Sequence, residues 1–403
     1  MTGDFNPNLP GRAASQAARL LEVLRLLEGE VAAGRPADAA LTRFLRQHPE
    51  MGSRDRRLVS TTAFAGFRWR GWAGTVADDG PIAAVRAALL DGLQSAPDAL
   101  RHLAAGTDLA APLDAPPGFQ GLDDRAAWVS KAWKPGARPA DLAPAWAAEA
   151  LTVPEGAGRA AFLARWLDAL QERPPLWLRA EGIPGGDLAD AVRALGPTAV
   201  AHARLESAVR VDGHPALPEL ERAIGAKFDV QDLASQVVGA VAAPEPGQSW
   251  WDVCAGAGGK TLDLRSRMGA RGYLRATDLR PRALGEARRR EERLGRKGTD
   301  WRVHDAILPP PDARTFNGVL VDAPCSGLGT WARAPDARWR TGPADVERLA
   351  LTQSAILRAV ADSVRPGGRL VYAVCSLTRA EAHGVVDAFL AGRPDFAPDP
   401  VPH

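Results

Sequence analysis

The sequence has 403 residues, which is long enough for two or three domains with a large buried core. Its hydrophobic content of 46% and charged content of 24% are ordinary for a soluble globular protein. The formal net charge of +2 does not by itself indicate a nucleic-acid partner, and three cysteines without a C-x-x-C pair argue against a disulfide framework or a metal site.

The amino-terminal stretch M-T-G-D-F-N-P-N-L-P contains no apolar signal segment. No run of residues approaches the length of a membrane span, about 18 apolar residues. We therefore expect a cytoplasmic protein with no membrane partner and no bound metal. The cations are nearly all arginine, with only five lysines. Arginine is the better residue for phosphates and base stacking, although a bias toward GC-rich codons explains the same composition.

The first third of the chain reads as a series of helices. Apolar residues recur with helical spacing from Ala13 to Glu30, and further helices are predicted over Ala37–Gln47, Arg54–Trp69 and Ile82–Leu93. We therefore predict an all-helical domain over residues 1–140. The stretch from Thr107 to Gly121 is rich in Ala, Pro, Asp and Gly, and it is predicted to be a linker or long loop.

The third predicted helix interleaves cations with aromatic side chains. Five arginines lie between positions 54 and 70, together with Phe64, Phe67 and Trp69. Such a mixture suits RNA backbones and exposed bases. It is equally the pattern of an amphipathic helix whose aromatic side chains point inward while the arginines meet solvent, and both interpretations can hold together.

Residues 141–227 are predicted to form a small α/β module. A helix over Arg159–Gln171 is followed by strand-like segments at Leu176–Ala180 and Ala208–Val211, with a helix at Leu188–Leu195 between them. The pattern assigns no chemistry to this module. Asp232, just beyond it, is predicted to cap the helix that follows.

Residues 228–403 alternate strands with helices, which predicts a doubly wound, Rossmann-like sheet. The predicted strands end at or near Val253, Asp278, His304, Asp322 and Val374. The predicted helices cover Leu262–Met268, Arg282–Leu294, Ala344–Val364 and Arg379–Leu390. Because ligands bind at the carboxyl ends of such strands, the residues at these ends are the candidate site.

The segment W-D-V-C-A-G-A-G-G-K-T places a glycine-rich loop between a strand and a helix. A phosphate-binding Walker loop is excluded because Cys254 stands where glycine is required, and a dinucleotide loop lacks its third glycine. What remains is a loop that lets the backbone approach a nucleoside. Asp278, about twenty residues on, suits ribose hydroxyls, and Asp305 suits an adenine amino group. Together these features predict an S-adenosylmethionine pocket formed by Cys254, Ala255, Gly256, Ala257, Gly258, Gly259, Lys260, Asp278, Asp305 and Asp322.

Two cysteines stand at equivalent strand ends. The run V-L-V-D-A-P-C-S-G ends a strand on Asp322 and delivers Cys325, and the last predicted strand ends at Cys375. A thiol beside a carboxylate suits nucleophilic or acid/base chemistry, whereas a lone cysteine is more often a buried residue closing a strand. Since these two strands are neighbours in the usual doubly wound order, we expect both thiols to flank one cleft.

Five stretches resemble the RsmB-like (Sun, or Fmu) family of RNA cytosine-5 methyltransferases. They are R-P-P-L-W-L-R at 173–179, V-Q-D-L-A-S-Q at 230–236, D-V-C-A-G-A-G-G-K-T at 252–261, D-A-P-C-S-G-L-G-T with P-D-A-R-W within 322–339, and L-V-Y-A-V-C-S at 370–376. The resemblance is strong from about residue 173 to about residue 389. Residues 1–140 are similar to the NusB-like domain that such enzymes carry.

The resemblance implies roles for four residues. Cys375 adds to carbon 6 of cytosine, for which its pKa must be lowered, and Cys325 assists release of the adduct. Asp322 hydrogen-bonds the base at N3 and at the amino group as charge develops. Lys260 reaches the base or the cofactor carboxylate; its alternative is a solvated lysine at a helix start. The implied cofactor is S-adenosylmethionine, and the implied partner is RNA, ribosomal ahead of transfer RNA, bound by a monomer.

Alternatives to this interpretation are a DNA enzyme and an inactive relative. A DNA cytosine-5 methyltransferase would use the Pro-Cys thiol and would not need Cys375. A non-catalytic RNA-binding assembly factor would explain why Ala257, Val374 and Ala334 replace the family's usual Pro, Thr and His. Members also generally continue into a final pair of strands, so the resemblance implies a sheet short by an edge at His403. Retention of both thiols favours the enzyme.

Overall fold

The computed structural model of the chain describes residues 9–92, 97–213 and 216–399. Its contacts divide the chain into two units. The helical unit comprises the chain up to Arg173 together with Ser326–Val346 and Ser376–Arg379, and the α/β unit comprises Pro174–Cys325, Glu347–Cys375 and the residues from Ala380 onward. The amino-terminal stretch 1–8 and Leu93, where a predicted helix ends, lie outside the described residues.

The helical unit confirms the prediction of an all-helical amino-terminal region. Its α-helices are α1 Leu9–Ala32, α2 Ala37–Gln47, α3 Ser53–Ala73, α4 Val76–Asp79, α5 Ile82–Leu90, α6 Asp98–Ala104, α7 Ala110–Asp114, α8 Leu122–Ala132, α9 Ala145–Ala150 and α10 Arg159–Gln171. Short 3-10 helices occupy Pro139–Leu142, Leu328–Thr330 and Pro335–Trp339. The predicted linker at 107–121 is wrong in part, because α7 lies within it. The likeness to a NusB domain stays a prediction.

Helix α3 resolves the mixed pattern of arginines and aromatics. Phe67 and Trp69 are buried in the core of the helical unit, where Trp72 stacks on Trp69. Arg54 and Arg57, one helical turn apart, are exposed to solvent. The burial of these two rings supports the amphipathic interpretation and leaves them unavailable to stack on bases. Arg68 departs from that pattern, because its side chain is buried and pairs with Asp91.

Arg338 is the polar centre of the helical unit. It is fully buried on the 3-10 helix Pro335–Trp339. Its guanidinium donates to the Gln171 side chain and to the carbonyl oxygens of Arg68, Leu142, Leu170 and Trp331. Buried polar groups are stable only when their hydrogen bonds are made, so this one side chain satisfies carbonyls from several helices at once.

We expect Arg338→Met to destabilise the helical unit by about 3 kcal/mol, because several buried carbonyls lose their donor. Urea unfolding followed by tryptophan fluorescence measures the change. The control is Arg43→Met, whose side chain is 62% exposed and pairs loosely with Glu30; it should change stability by less than about 1 kcal/mol. Equal unfolding midpoints for the two variants would contradict the role given to Arg338.

The α/β unit begins with a small antiparallel sheet. The chain runs β1 Leu176–Ala180, α11 Gly185–Ala194, β2 Thr198–Ala201, β3 Ala208–Asp212, α12 Leu217–Ile224 and β4 Phe228–Val230. The sheet order β2-β3-β1-β4 is that of a ferredoxin-like βαββαβ module. Arg179 on β1 lies opposite Asp229 on β4, and the two side chains meet in the buried network described below.

The second sheet is parallel and doubly wound, as predicted. Its elements are α13 Leu233–Ala242, β5 Ser249–Asp252, α14 Gly259–Met268, β6 Tyr273–Asp278, α15 Pro281–Arg293, β7 Thr299–Val303, β8 Phe316–Asp322, α16 Pro343–Val360, of which Glu347 onward belongs to this unit, β9 Val364–Ala373 and α17 His383–Gly392. The strands lie in the order β7-β6-β5-β8-β9 and pair in parallel. The chain adds β6 and β7 on one side of β5 and then β8 and β9 on the other side, so the winding switches sides between β5 and β8. Such a switch point is where open α/β sheets bind ligands.

The structural division differs from the predicted boundaries at 140 and 227. Helix α10 packs Trp166 and Leu170 into a cluster of the helical unit that contains Trp331, so that unit runs on to Arg173. Strand β4 pairs within the small sheet, although Phe228 was assigned to the last domain. The predicted cap at Asp232 is confirmed, since its carboxylate accepts from the Ala234 N–H. The helix predicted from Arg379 begins instead at His383.

Within the described ranges, no helix has both the length and the apolar character needed to cross a bilayer. The same ranges contain no group of three or more His, Cys, Asp or Glu side chains arranged to hold a metal ion.

Candidate active site

The carboxyl ends of the central parallel strands gather the candidate residues at one edge of the sheet. Asp252 ends β5, Asp278 ends β6 and Asp322 ends β8. Cys375 follows β9 by two residues. Because the strands are parallel, residues far apart in sequence become neighbours at this edge, on both sides of the switch point.

The glycine-rich loop follows β5 and is fastened to the end of β6. The Ala255 N–H donates to the Thr277 carbonyl oxygen at 2.8 Å, and the Gly256 N–H donates to Asp278 Oδ2 at 2.8 Å. Gly258 has a φ of +83°, and a Cβ there would lie 2.8 Å from the Ala287 Cβ. Glycine is therefore required at 258 both by the backbone conformation and by the close approach of α15.

Asp278 ends β6, as predicted, and its carboxylate is bonded by the side chain of Arg280. Burial alone would raise the pKa of Asp278, yet hydrogen bonds from the Arg280 side chain, the Arg280 N–H and the Gly256 N–H lower that pKa overall. Arg280 Nε and Nη2 donate to the carboxylate at 3.0 and 3.1 Å. The Arg280 side chain is 70% exposed, so it can move aside for ribose hydroxyls to take its place.

Asp305 lies beyond β7, where its carboxylate accepts from the Ile307 N–H at 3.2 Å and so shapes the turn. Three large apolar side chains next to Asp278 and Asp305 are exposed, namely Leu279, Ile307 and Leu308. Exposed apolar groups beside carboxylates provide both the faces and the polar partners that a purine nucleoside needs.

Lys260 and Asp322 form an ion pair at the switch point. Lys260 lies in the first turn of α14, and its Nζ is 2.7 Å from Asp322 Oδ2 and 3.2 Å from Ser235 Oγ. The side chains are only 15% and 33% exposed. The predicted alternative of a solvated lysine is thus not what the structure contains. Ser235 was not predicted, and its signal was its place in the V-Q-D-L-A-S-Q stretch.

Cys325 and Cys375 come together as predicted. Their Sγ atoms are 3.2 Å apart, which is longer than the bond of about 2.05 Å in a disulfide. The hydrogen bond from Cys325 lowers the pKa of Cys375, and the Lys260 charge lowers it further, against opposing effects of burial and Asp322. Cys375 is exposed, so the thiolate that the lower pKa favours would be accessible to a substrate.

Cys254 has a contrasting environment. Burial raises the pKa of its thiol, and the charges of Asp252, Asp278 and Asp322 raise it further. The Cys254 thiol is therefore chemically inert at neutral pH. Cys254 was predicted to line the cofactor pocket, and only its backbone is suited to that role.

We expect iodoacetamide at about pH 7.5 to alkylate Cys375 at least about tenfold faster than Cys254, because alkylation requires the thiolate. Mass spectrometry of tryptic peptides at successive times measures both rates. Cys325→Ala should slow the alkylation of Cys375, since the hydrogen bond that lowers its pKa is lost. Labelling in urea provides the control, in which the two cysteines should react alike. A faster Cys254 in the folded protein would contradict this assignment.

Asp252 is a buried acid that the sequence analysis did not single out. It is fully buried, and its Oδ2 accepts from Thr261 Oγ1 at 2.6 Å. Its Oδ1 has no hydrogen-bond partner among the residues that the structure describes. Burial raises the pKa of Asp252 to about 7, and the charges of Asp322 and Asp278 add to the effect. The available signal was its position, since Asp252 ends a strand directly before the loop.

The stability of the protein should therefore depend on pH through Asp252. In the unfolded chain this carboxyl loses its proton near its ordinary pKa, whereas in the folded protein it keeps the proton up to about pH 7. Folding is consequently penalised as pH rises through this window, and the penalty is complete above it. Compared with wild type, Asp252→Asn should gain about 2 kcal/mol more stability at about pH 8 than at about pH 5.

Urea unfolding at the two pH values measures this difference. The control is Asp212→Asn, whose carboxylate is 47% exposed, and it should show no such pH dependence. A constant difference between Asp252→Asn and wild type at both pH values would show that Asp252 ionises normally.

Comparison with known proteins identifies relatives of the second half of the chain. Residues 240–403 match the family model described as 16S rRNA methyltransferase RsmB/F. The probable ribosomal RNA small subunit methyltransferase B of Synechocystis sp. is 34% identical over 217 residues, which cover 53% of this chain and 49% of that protein. The ribosomal RNA small subunit methyltransferase B of Thermus thermophilus is 39% identical over 171 residues, which cover 42% of each. The chain spans about half the length of the curated relatives it matches.

Solved structures share the fold. The crystal structure of PH0851 superposes with a TM-score of 0.69 at 20% identity, covering 99% of this chain and 91% of that chain. A methyltransferase homolog protein from Pyrococcus horikoshii superposes with a TM-score of 0.50 at 23% identity, covering 59% and 79%. At these identities the likeness concerns the fold alone.

Proposed function

We propose that this chain belongs to the RsmB/F methyltransferase family, whose model residues 240–403 match, and that the protein methylates carbon 5 of a cytosine in RNA. The match over these residues supports the resemblance inferred from the sequence. The observation that carries the proposed reaction is the pair of thiols 3.2 Å apart beside the Lys260–Asp322 ion pair. An exposed thiol of lowered pKa next to a fixed carboxylate is the arrangement that covalent catalysis on a pyrimidine needs.

The residues around the glycine-rich loop fit S-adenosylmethionine. Gly256 leaves room for a close approach to the backbone, Asp278 offers a carboxylate for ribose hydroxyls, and Leu279 offers an apolar surface for the purine. In our proposal Asp305 contacts the adenine, and Lys260 or the Cys254–Gly259 backbone contacts the amino-acid end. When bound, this cofactor supplies an electrophilic methyl group.

Cys375 is the proposed nucleophile. Carbon 5 of cytosine is a poor nucleophile, and addition of a thiolate to carbon 6 makes it reactive. Cys375 suits this step because its side chain is exposed and its pKa is lowered by Cys325 and Lys260. The alternative of a DNA enzyme, with the Pro-Cys thiol as nucleophile, gives no role to the lowered pKa of Cys375.

Asp322 is proposed to hold the base. Its carboxylate, held at 2.7 Å by Lys260 Nζ, can accept a hydrogen bond from the amino group and from a proton at N3 as the adduct forms. A carboxylate already fixed by a partner costs little reorganisation when charge develops on the base. Lys260 in turn keeps the Asp322 carboxylate oriented.

Cys325 is proposed to act when the product is released. After methylation, carbon 5 must lose its proton and the bond between carbon 6 and Cys375 must break. The Cys325 thiol lies within 3.2 Å of the sulfur that leaves, so it can take part in proton transfer at that step. The two thiols thus have separate tasks in one cleft.

We propose RNA of the small ribosomal subunit as the substrate, because the curated relatives carry that name, with transfer RNA as the alternative. The activity would lie in the cytoplasm. We also propose that the enzyme acts as a monomer. A non-catalytic assembly factor remains the competing function, and the following experiment separates the two.

We expect a covalent complex when the protein meets RNA containing 5-azacytidine and S-adenosylmethionine, because the analogue traps the adduct at carbon 6. A denaturing gel detects it as a shifted band. The band should persist in Cys325→Ala and vanish in Cys375→Ala. Asp322→Asn should form it about a hundredfold more slowly, since an oriented hydrogen-bond acceptor is lost.

The matched control is the same RNA with ordinary cytidine, which should give no accumulated band with the wild-type protein. Sequencing of the trapped RNA would name the nucleotide. If the wild-type protein binds RNA and S-adenosylmethionine but forms no band, the catalytic proposal is wrong and the assembly factor replaces it.

A further inference from the structure

The loop between β5 and α14 has little conformational restraint of its own. Residues 256–259 read G-A-G-G, and Ala257 is the one residue among them with a side chain. Glycine loses more backbone entropy on ordering than any other residue, and proline would remove part of that cost. Something outside the loop must therefore hold it in shape before the cofactor binds.

Two arginines from outside the loop bind its carbonyl oxygens. Arg290 Nη1, from α15, donates to the Ala257 carbonyl oxygen at 2.8 Å. Arg179 Nη1, from β1 of the small module, donates to the Gly259 carbonyl oxygen at 3.2 Å. Together with the bond from the Gly256 N–H to Asp278, these contacts restrain the loop along most of its length.

Both arginines meet one buried carboxylate, Asp229 on β4. Arg290 Nη2 lies 2.6 Å from Asp229 Oδ2, Arg293 Nη2 lies 2.9 Å from Oδ1, and Arg179 Nη2 lies 3.8 Å from Oδ2. Asp229 is 2% exposed, so this carboxylate is a rigid anchor rather than a mobile surface group. Charge-assisted bonds to a buried acid orient a guanidinium far better than solvent does.

We propose that Arg290, anchored by Asp229 of the small module, is a positioning residue that orders the cofactor loop. The inference rests on the proposed function, because it assumes that the loop binds S-adenosylmethionine. It also assigns a task to the small α/β module, for which the sequence suggested no chemistry. Arg290 itself contacts the Ala257 carbonyl and not the reacting atoms.

The test measures binding of S-adenosylhomocysteine by calorimetry, which needs neither RNA nor catalysis. Arg290→Ala should bind this ligand about tenfold more weakly than wild type, because the loop must be ordered on binding. Arg290→Lys should also bind more weakly, since a single ammonium nitrogen replaces the two guanidinium nitrogens that bond Ala257 and Asp229. The matched control is Arg289→Ala on the same helix, whose exposed side chain pairs only with Glu286 among the described residues, and it should bind as wild type does.

Rescue distinguishes positioning from general destabilisation. Among the described residues, the Ala257 N–H donates no backbone hydrogen bond, so proline can be introduced there without breaking one. Ala257→Pro combined with Arg290→Ala should recover most of the lost affinity, because it restrains the loop by another route. In methylation assays Arg290→Ala should raise the KM for S-adenosylmethionine about tenfold and leave kcat within about twofold.

Wild-type affinity in both Arg290→Ala and Arg290→Lys would overturn the inference, and so would a loss of affinity that Ala257→Pro does not recover. Failure of the wild-type protein itself to bind S-adenosylhomocysteine would instead overturn the proposed function, and the inference with it. If Arg290→Ala does not fold, the same comparison is made with Arg290→Lys. Its affinity for S-adenosylhomocysteine is then measured with and without Ala257→Pro.

Discussion

Parallel pairing of β5 with β8 is the constraint on which the rest of the α/β unit depends. Trp250 of β5 lies opposite Gly318 of β8, and a Cβ on that glycine would come within 2.3 Å of the indole ring. The absence of a side chain at 318 thus allows the two strands to meet around a large aromatic residue. Their pairing puts Asp252 and Asp322 at one edge, where the chain reverses its winding order and leaves a cleft.

Buried charges hold the segments that strand pairing does not reach. In the helical unit, Arg338 satisfies carbonyls of several helices. In the α/β unit, Asp229 gathers arginines that in turn bind the cofactor loop. Buried ions are costly without partners, so each such network is specific to one arrangement of the chain. The same cost raises the pKa of Asp252 to about 7, well above that of a solvated aspartate.

The thiols of the three cysteines differ in reactivity because their surroundings differ. Cys254, closed in by burial and by carboxylates, has a raised pKa, whereas Cys375 has a lowered pKa because Cys325 and Lys260 stabilise its thiolate. The proposed division of labour between Cys375 and Cys325 follows from this difference and from their contact. It is a property of the cleft, since all three cysteines stand in similar positions relative to strands in the sequence.

The sequence by itself determined the alternation of strands and helices, the strand ends that carry the acids and thiols, and the glycine loop, because periodicity and turn chemistry are local properties. Tertiary structure alone decided that the aromatic side chains of α3 are core residues, that α10 belongs with the helical unit, and that Asp252 is buried. It also decided the contact of Arg290 with Asp229, 61 positions apart, and the 3.2 Å between two sulfurs 50 positions apart. Distances between remote residues depend on how whole elements pack, and no local pattern contains that information.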